Sequence, residues 1–212
     1  MIRNANKLWK VFLVMIAASV GLGVASSTVG ANLNATSFNT SANSIASGTL
    51  KLVQLDNGVG FSTPISNMVP GDTVNRYVKY TNSGTLAAKA LTVKVADSLS
   101  TLLTTDGTKG LQVTISNCSV AWTPGTGACS GTTTSLLTST SLLSLKSTAG
   151  SLDSGSIASG AVYNLKFSLN LPSSNTETTV NGVLPASTIQ DLSASLTWTL
   201  EELQRDSTET NS

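Results

Sequence analysis

The sequence contains no histidine. Sites in which an imidazole takes the proton of a serine or cysteine nucleophile are therefore excluded. So is the HExxH zinc site, where two imidazoles hold the metal. Charge is scarce as well: Asp, Glu, Lys and Arg make up 11% of the 212 residues, and the formal net charge is +1. A nucleic-acid binder needs a basic patch that neutralises phosphates, and none is present. Aromatic residues are 5% of the chain, too thin a supply for a carbohydrate platform of stacked rings. Long apolar runs are missing too. The longest, Val11 to Ala25, has about 15 residues, short of the ~20 needed for a membrane span.

That run has the form of an export signal. Arg3, Lys7 and Lys10 precede it and small residues follow, so residues 1–30 read as a signal peptide, helical in its apolar part, with a retained membrane anchor as the alternative. Cleavage falls after Ser26 or after Gly30. Removing the leader takes three basic residues and leaves a sparsely charged mature chain near −2, long enough for one domain with a single core. Cys118 and Cys129 are the only cysteines. In an exported chain the pair reads as a disulfide. A two-thiolate metal site is the alternative, but it would need further ligands in a chain without histidine.

What the sequence has in quantity is Thr, Val, Ser and Gly, the composition of strands and turns. Leu192, Ala194, Leu196, Trp198 and Leu200 alternate with Ser and Thr, giving one apolar face. Leu165, Phe167 and Leu169 do the same in a second segment, and Leu91, Val93 and Val95 in a third. These are antiparallel strands with one side on a core and one in water. In "TVNRYVKYT" the phase groups Val74, Arg76, Val78 and Tyr80, which leaves Tyr77 beside Lys79 on the opposite, solvent-facing side. Turn signals separate the strands: Asp56 to Gly58, Pro70–Gly71–Asp72, and Asn82 to Gly84. The spacing is that of a sandwich or jelly roll. Ser135 to Lys146 fits a short helix or an irregular strand, and the region from Cys129 to Ser159 is expected to cover one end or edge of the sandwich. Residues 205–212 lack an apolar anchor and read as a disordered tail.

The remaining catalytic chemistry is thin. A Ser–Lys dyad could draw on Lys79, Lys89, Lys94, Lys109, Lys146 or Lys166, but no motif singles out a pair. Asp56, Asp72, Asp97, Asp106 and Asp153 could supply paired carboxylates or calcium ligands. Each sits in a turn, where Asp commonly satisfies local amides. Asp97 with Asp106 is the pair to test first for calcium.

Four passages resemble one known family. "TVGANLNAT" resembles a leader-to-mature junction, "SIASGTLKL" an opening strand of F-x-x-G-T-L-D-L type with Ile45 near the usual Phe, and "ISNMVPGDTVNRYVKYTNSGTLAAKALTVKV" a P-G-D turn, strand, N-x-G-[ST]-L turn and second strand. "LPSSN" with "QDLSASLTWTLEELQR" resembles the closing segment. The chain is thus similar to the TasA and camelysin family. The cysteine loop and the acidic "TLEELQ" depart from its pattern.

The resemblance implies an all-β, jelly-roll-like antiparallel β-sandwich exported to the extracellular matrix or bacterial surface, with cleavage by a dedicated signal peptidase between Gly30 and Ala31. It implies a head-to-tail homopolymer in which an arm, residues 31–44, inserts as a strand into the next subunit, followed by the sandwich over residues 45–204. Ala31, Leu33 and Ala35 would line one face of that strand, with Phe38 out of phase and Ile45 beginning the domain. No cofactor, no enzyme activity and no nucleic-acid partner are expected, other matrix or cell-wall components are possible partners, and the membrane is met only through an uncleaved leader. The alternatives are a monomeric adhesin and a camelysin-like peptidase, the latter without recognisable zinc ligands.

Overall fold

The computed structural model describes residues 47–62, 65 and 67–209. The leader, the cleavage junction at Gly30 and Ala31, and the arm with Leu33, Ala35, Phe38 and Ile45 lie outside them.

Among the described residues, eight strands and two short helices follow in order: β1 (Leu52–Asp56), β2 (Thr73–Asn82), β3 (Ala88–Asp97), α1 (Leu102–Thr105), β4 (Gln112–Cys118), β5 (Thr133–Ser141), α2 (Leu142–Ser147), β6 (Gly150–Asp153), β7 (Val162–Asn170) and β8 (Leu196–Gln204). They form two sheets, β1-β2-β7-β4-β5 and β6-β3-β8. Every pairing is antiparallel. The chain is an all-β sandwich, as its alternation requires.

The inward phases are those of the sequence. Leu91, Val93 and Val95 of β3 meet Leu165, Phe167 and Leu169 of β7, all within 2% exposure. In β8, Leu196, Trp198 and Leu200 face the same core. Two boundaries differ from expectation. β8 begins at Leu196 rather than Leu192, because Asp191 takes a positive φ of 54° and the Ser195 amide donates to the Asp97 carboxylate instead of to a ladder. The opening strand begins at Leu52, since at Thr49 the backbone hydrogen-bonds across to Thr85 and Leu86 outside any strand.

The turns at the core's ends have identifiable causes. Pro70–Gly71 occupies the two central positions of a tight turn with Gly71 at φ 101°, closed by the Asp72 amide donating to the Val69 carbonyl. The Asp72 carboxylate accepts the Val69 amide in return. Asn82 ends β2 fully buried. Its amide nitrogen donates to the carbonyls of Leu86 and Ile157, and its oxygen accepts from Gly84. The ambiguous leucine-rich stretch is both structures in succession: β5 runs to Ser141, whose hydroxyl then caps α2 by accepting the Ser144 amide, and Leu142 and Leu145 drop into the core.

A second apolar cluster lies on the outer face of the five-stranded sheet and corrects the expectation for Tyr77. That residue is 2% exposed. Cys118 and Cys129 are joined by a disulfide, and the loop between them lays Trp122 over Tyr77. Trp122 donates its indole N–H to the Asn164 carbonyl at 2.8 Å, and the Lys166 ammonium sits 4.3 Å from its ring centroid. Gly127, at φ 71°, makes the loop fit, because a Cβ there would meet the Tyr77 hydroxyl at 3.2 Å.

Candidate functional site

A sheet of five strands faces one of three, so the smaller sheet leaves part of the larger uncovered. β8 is an edge strand, bonded to β3 and to no other strand among the described residues. Edge strands present unpaired N–H and C=O groups to any extended segment that reaches them.

Beside β8 the two sheets part into a groove of about 760 Å³. Leu169 and Leu171 follow β7 into it, Arg76 enters from β2, and Leu196 and Trp198 from β8, while Phe61, Met68 and Ile189 come from loops. Phe61, Phe167 and Trp198 form an aromatic group at this point, with Phe61 stacked on Trp198 at 5.6 Å and edge-on to Phe167 at 4.9 Å. Arg76 is buried at 6% exposure and donates to the Asn75 carbonyl. Its inward phase was readable from the sequence.

One feature near the groove was not anticipated. Val180 and Val183 pair across Asn181 and Gly182, both at positive φ (53° and 77°), which is the geometry of a tight I′ hairpin turn. Val180, Val183 and Leu184 are 67%, 68% and 40% exposed, so the tip is an apolar projection, and Leu184 reaches the groove. The Asn-Gly pair between two valines was the available signal.

The acidic candidates are occupied locally. Asp97 accepts from the Leu99, Ser100 and Ser195 amides and the Thr104 hydroxyl. Burial alone would raise its carboxyl, but these four donors outweigh that and hold it at about 2. Asp106 accepts the Lys109 and Thr108 amides, which with the Lys109 charge lower its carboxyl below the usual value. Asp97 therefore ties the β3–α1 loop to the start of β8, and Asp106 shapes its own turn. Asp72 belongs to the Pro70 turn, and Asp56 ends β1 with Ser62 donating to it at 3.4 Å. Among the lysines, Lys89 pairs with Asp206 at the surface and Lys146 donates to Thr104, neither to a serine.

Asp153 differs. Its carboxylate accepts the Gly155 amide and the Tyr163 hydroxyl, a phenol on which the Glu202 carboxylate also acts. Glu202 continues the inward phase of β8 after Leu200. The alternation that predicted Trp198 inward places an acid there too.

The family described as camelysin metallo-endopeptidase matches residues 8–209. No curated protein matches. A solved structure of AvmM, which catalyses macrocyclisation in alchivemycin A biosynthesis, aligns over 76% of this chain and 92% of its own, at 10% identity and a TM-score of 0.31. The family's description implies a metal, and the donors here do not fit a catalytic zinc. Such a site takes three protein ligands of His, Cys or carboxylate type. This chain has no histidine, both cysteines are joined to each other, and among the described residues no three of these side chains converge. The family match nevertheless runs almost from end to end, and the chain belongs to the TasA/camelysin family.

Proposed function

We propose that this protein is an exported structural subunit of an extracellular or cell-surface fibre, joined head to tail by a strand from the neighbouring copy. The observation that carries the reading is the edge of β8, unpaired among the described residues, beside an apolar groove. An incoming extended segment would satisfy the edge's backbone groups, and alternate side chains would enter the groove. The arm after Gly30 suits that role: Ala31, Leu33 and Ala35 are small and apolar, and the stretch is uncharged up to Lys51. Because such a contact joins unlike surfaces, it does not close on itself and propagates as a filament.

Electron microscopy of the chain beginning at Ala31 tests this. Filaments are expected from the natural sequence and none from Leu33→Asp or from a form lacking residues 31–43. A mature chain that stays monomeric at high concentration with its arm intact overturns the reading. Filaments that survive both changes overturn strand insertion by the arm. The family's description favours a second reading, a peptidase. A casein-cleavage assay with and without chelator decides it, with no chelator-sensitive cleavage expected on the fibre reading.

A further inference from the structure

Two Asn–Gly steps occur in the sequence, Asn57–Gly58 and Asn181–Gly182. Both serve as turns, where Asn and Gly accept a positive φ. The same pair carries a reactivity of its own. Glycine has no side chain to shield its amide nitrogen or to hinder rotation of the peptide plane, so that nitrogen can reach the side-chain carbonyl carbon of the asparagine before it. The fold treats the two steps differently.

Asn57–Gly58 is clamped. The Asn57 amide donates to the Tyr77 carbonyl at 3.0 Å and the Tyr77 amide donates back to the Val59 carbonyl at 2.9 Å, which fixes the step to β2 on both sides. Pro124, from the loop closed by the disulfide, packs on it: a Cβ at Gly58 would lie 2.8 Å from the proline ring. Asn57 itself is half-buried. Asn181–Gly182 is the exposed tip of the hairpin beside the groove. Nothing lies within 4 Å of a Cβ placed at Gly182. Among the described residues the Asn181 side chain makes no hydrogen bond and the Gly182 amide donates none. Only the reciprocal bonds between Val180 and Val183, at 3.2 and 2.9 Å, hold the turn. A lone ladder of this size is marginal in water, so the Asn181 peptide plane can rotate out of the turn and bring the two reacting atoms together.

We infer that Asn181 is a site of spontaneous deamidation, which turns an apolar, neutral projection acidic. The Gly182 amide nitrogen, losing its proton to hydroxide, attacks the Asn181 side-chain carbonyl carbon. A C–N bond forms to close a five-membered imide, and the side-chain nitrogen leaves as ammonia with a proton from water. Water then opens the imide. Breaking its bond to the side-chain carbonyl gives aspartate, and breaking the bond to the main-chain carbonyl gives isoaspartate. The sum is asparagine plus water to a carboxylic acid plus ammonia, with no oxidant or enzyme. Either product places a carboxylate among Val180, Val183 and Leu184, and isoaspartate also lengthens the main chain inside a two-residue turn. The change runs one way, and it does not depend on fibre assembly.

The test holds the full chain in mildly alkaline buffer made with heavy-oxygen water and follows both steps by peptide mass spectrometry. Asn181 is expected to convert several-fold faster than Asn57, to a mixture of aspartate and isoaspartate carrying oxygen from the water. In urea that unfolds the chain the two rates should approach each other, because the clamp on Asn57 is then gone. Ion exchange should show an acidic form growing with time, lost in Asn181→Gln, whose longer side chain closes a ring more slowly, and kept in Asn57→Gln. The inference is overturned if Asn181 stays intact, if the two steps convert equally fast in the folded chain, or if aspartate appears without isoaspartate. It is equally overturned if the acidic form survives Asn181→Gln.

Discussion

At the scale of single residues, Asp97 shows how one turn carboxylate can organise distant parts of a β protein. Its oxygens bind amides at positions 99 and 100 and, 98 residues along the chain, the amide of Ser195. Its carboxyl is held at about 2 against an ordinary 3.8, so the ionised form is stabilised by folding. The sign follows: this contribution is complete above about pH 5 and is lost as pH falls through 3.8 toward 2. With allowance for partial solvent screening, it amounts to about 1–2 kcal/mol. Asp97→Asn is therefore expected to unfold at lower urea at pH 7, with the gap to the natural chain closing as pH is lowered from 5 to 2. A gap that stays constant across that range would assign the loss to packing.

At the scale of elements, the disulfide loop behaves as a separate small unit clamped to the outside of the large sheet. Closing a loop of about 12 residues stabilises by roughly 3 kcal/mol on the chain-entropy argument. Here the loop also positions Trp122 on Tyr77. Reduction with dithiothreitol is expected to lower Tm and shift tryptophan emission to the red. Trp122→Phe should abolish most of the spectral change, because Trp198 sits apart in the groove. An unchanged spectrum on reduction would mean that Trp122 holds its place without the crosslink.

This element also marks where sequence reading stops. The phases of β3, β7 and β8 were legible because each strand carries its own alternation, and the Pro70–Gly71–Asp72 turn because its residues set its φ values. Tyr77 was misplaced because its cover comes from Trp122, 45 residues later, and nothing local to β2 encodes it. The groove was invisible for the same reason: it is assembled from five separated stretches. Glu202 was legible in principle, as the next inward position after Leu200, but an acid there reads as surface until the register of β3 is known.

At the scale of the whole molecule, the low charge has a kinetic meaning. A chain with 11% charged residues and a formal net charge of +1, or near −2 if the leader is removed as proposed, offers little long-range attraction or repulsion between copies. If filaments grow by strand pairing and apolar contact, their growth rate should change less than about threefold between 50 and 500 mM NaCl, a range over which exposed charge interactions are heavily screened. Light scattering during growth measures this. A tenfold slowing would point to an electrostatic contact between subunits instead.

The shape of the large sheet also determines how a subunit answers to pulling. β1 is its first strand, five residues long, and among the described residues is bonded to β2 alone, starting with Leu52 opposite Asn82. Tension applied through the chain before residue 48 reaches the Thr49–Thr85 bonds and then that first pair, and the rest would open in sequence, like a zipper, not together in shear. Five extended residues give about 17 Å of slack. β2, paired with β7 over nine positions and covered on both faces, would meanwhile stay in place. The strand at the margin would thus act as a short extensible link that yields first and spares the core.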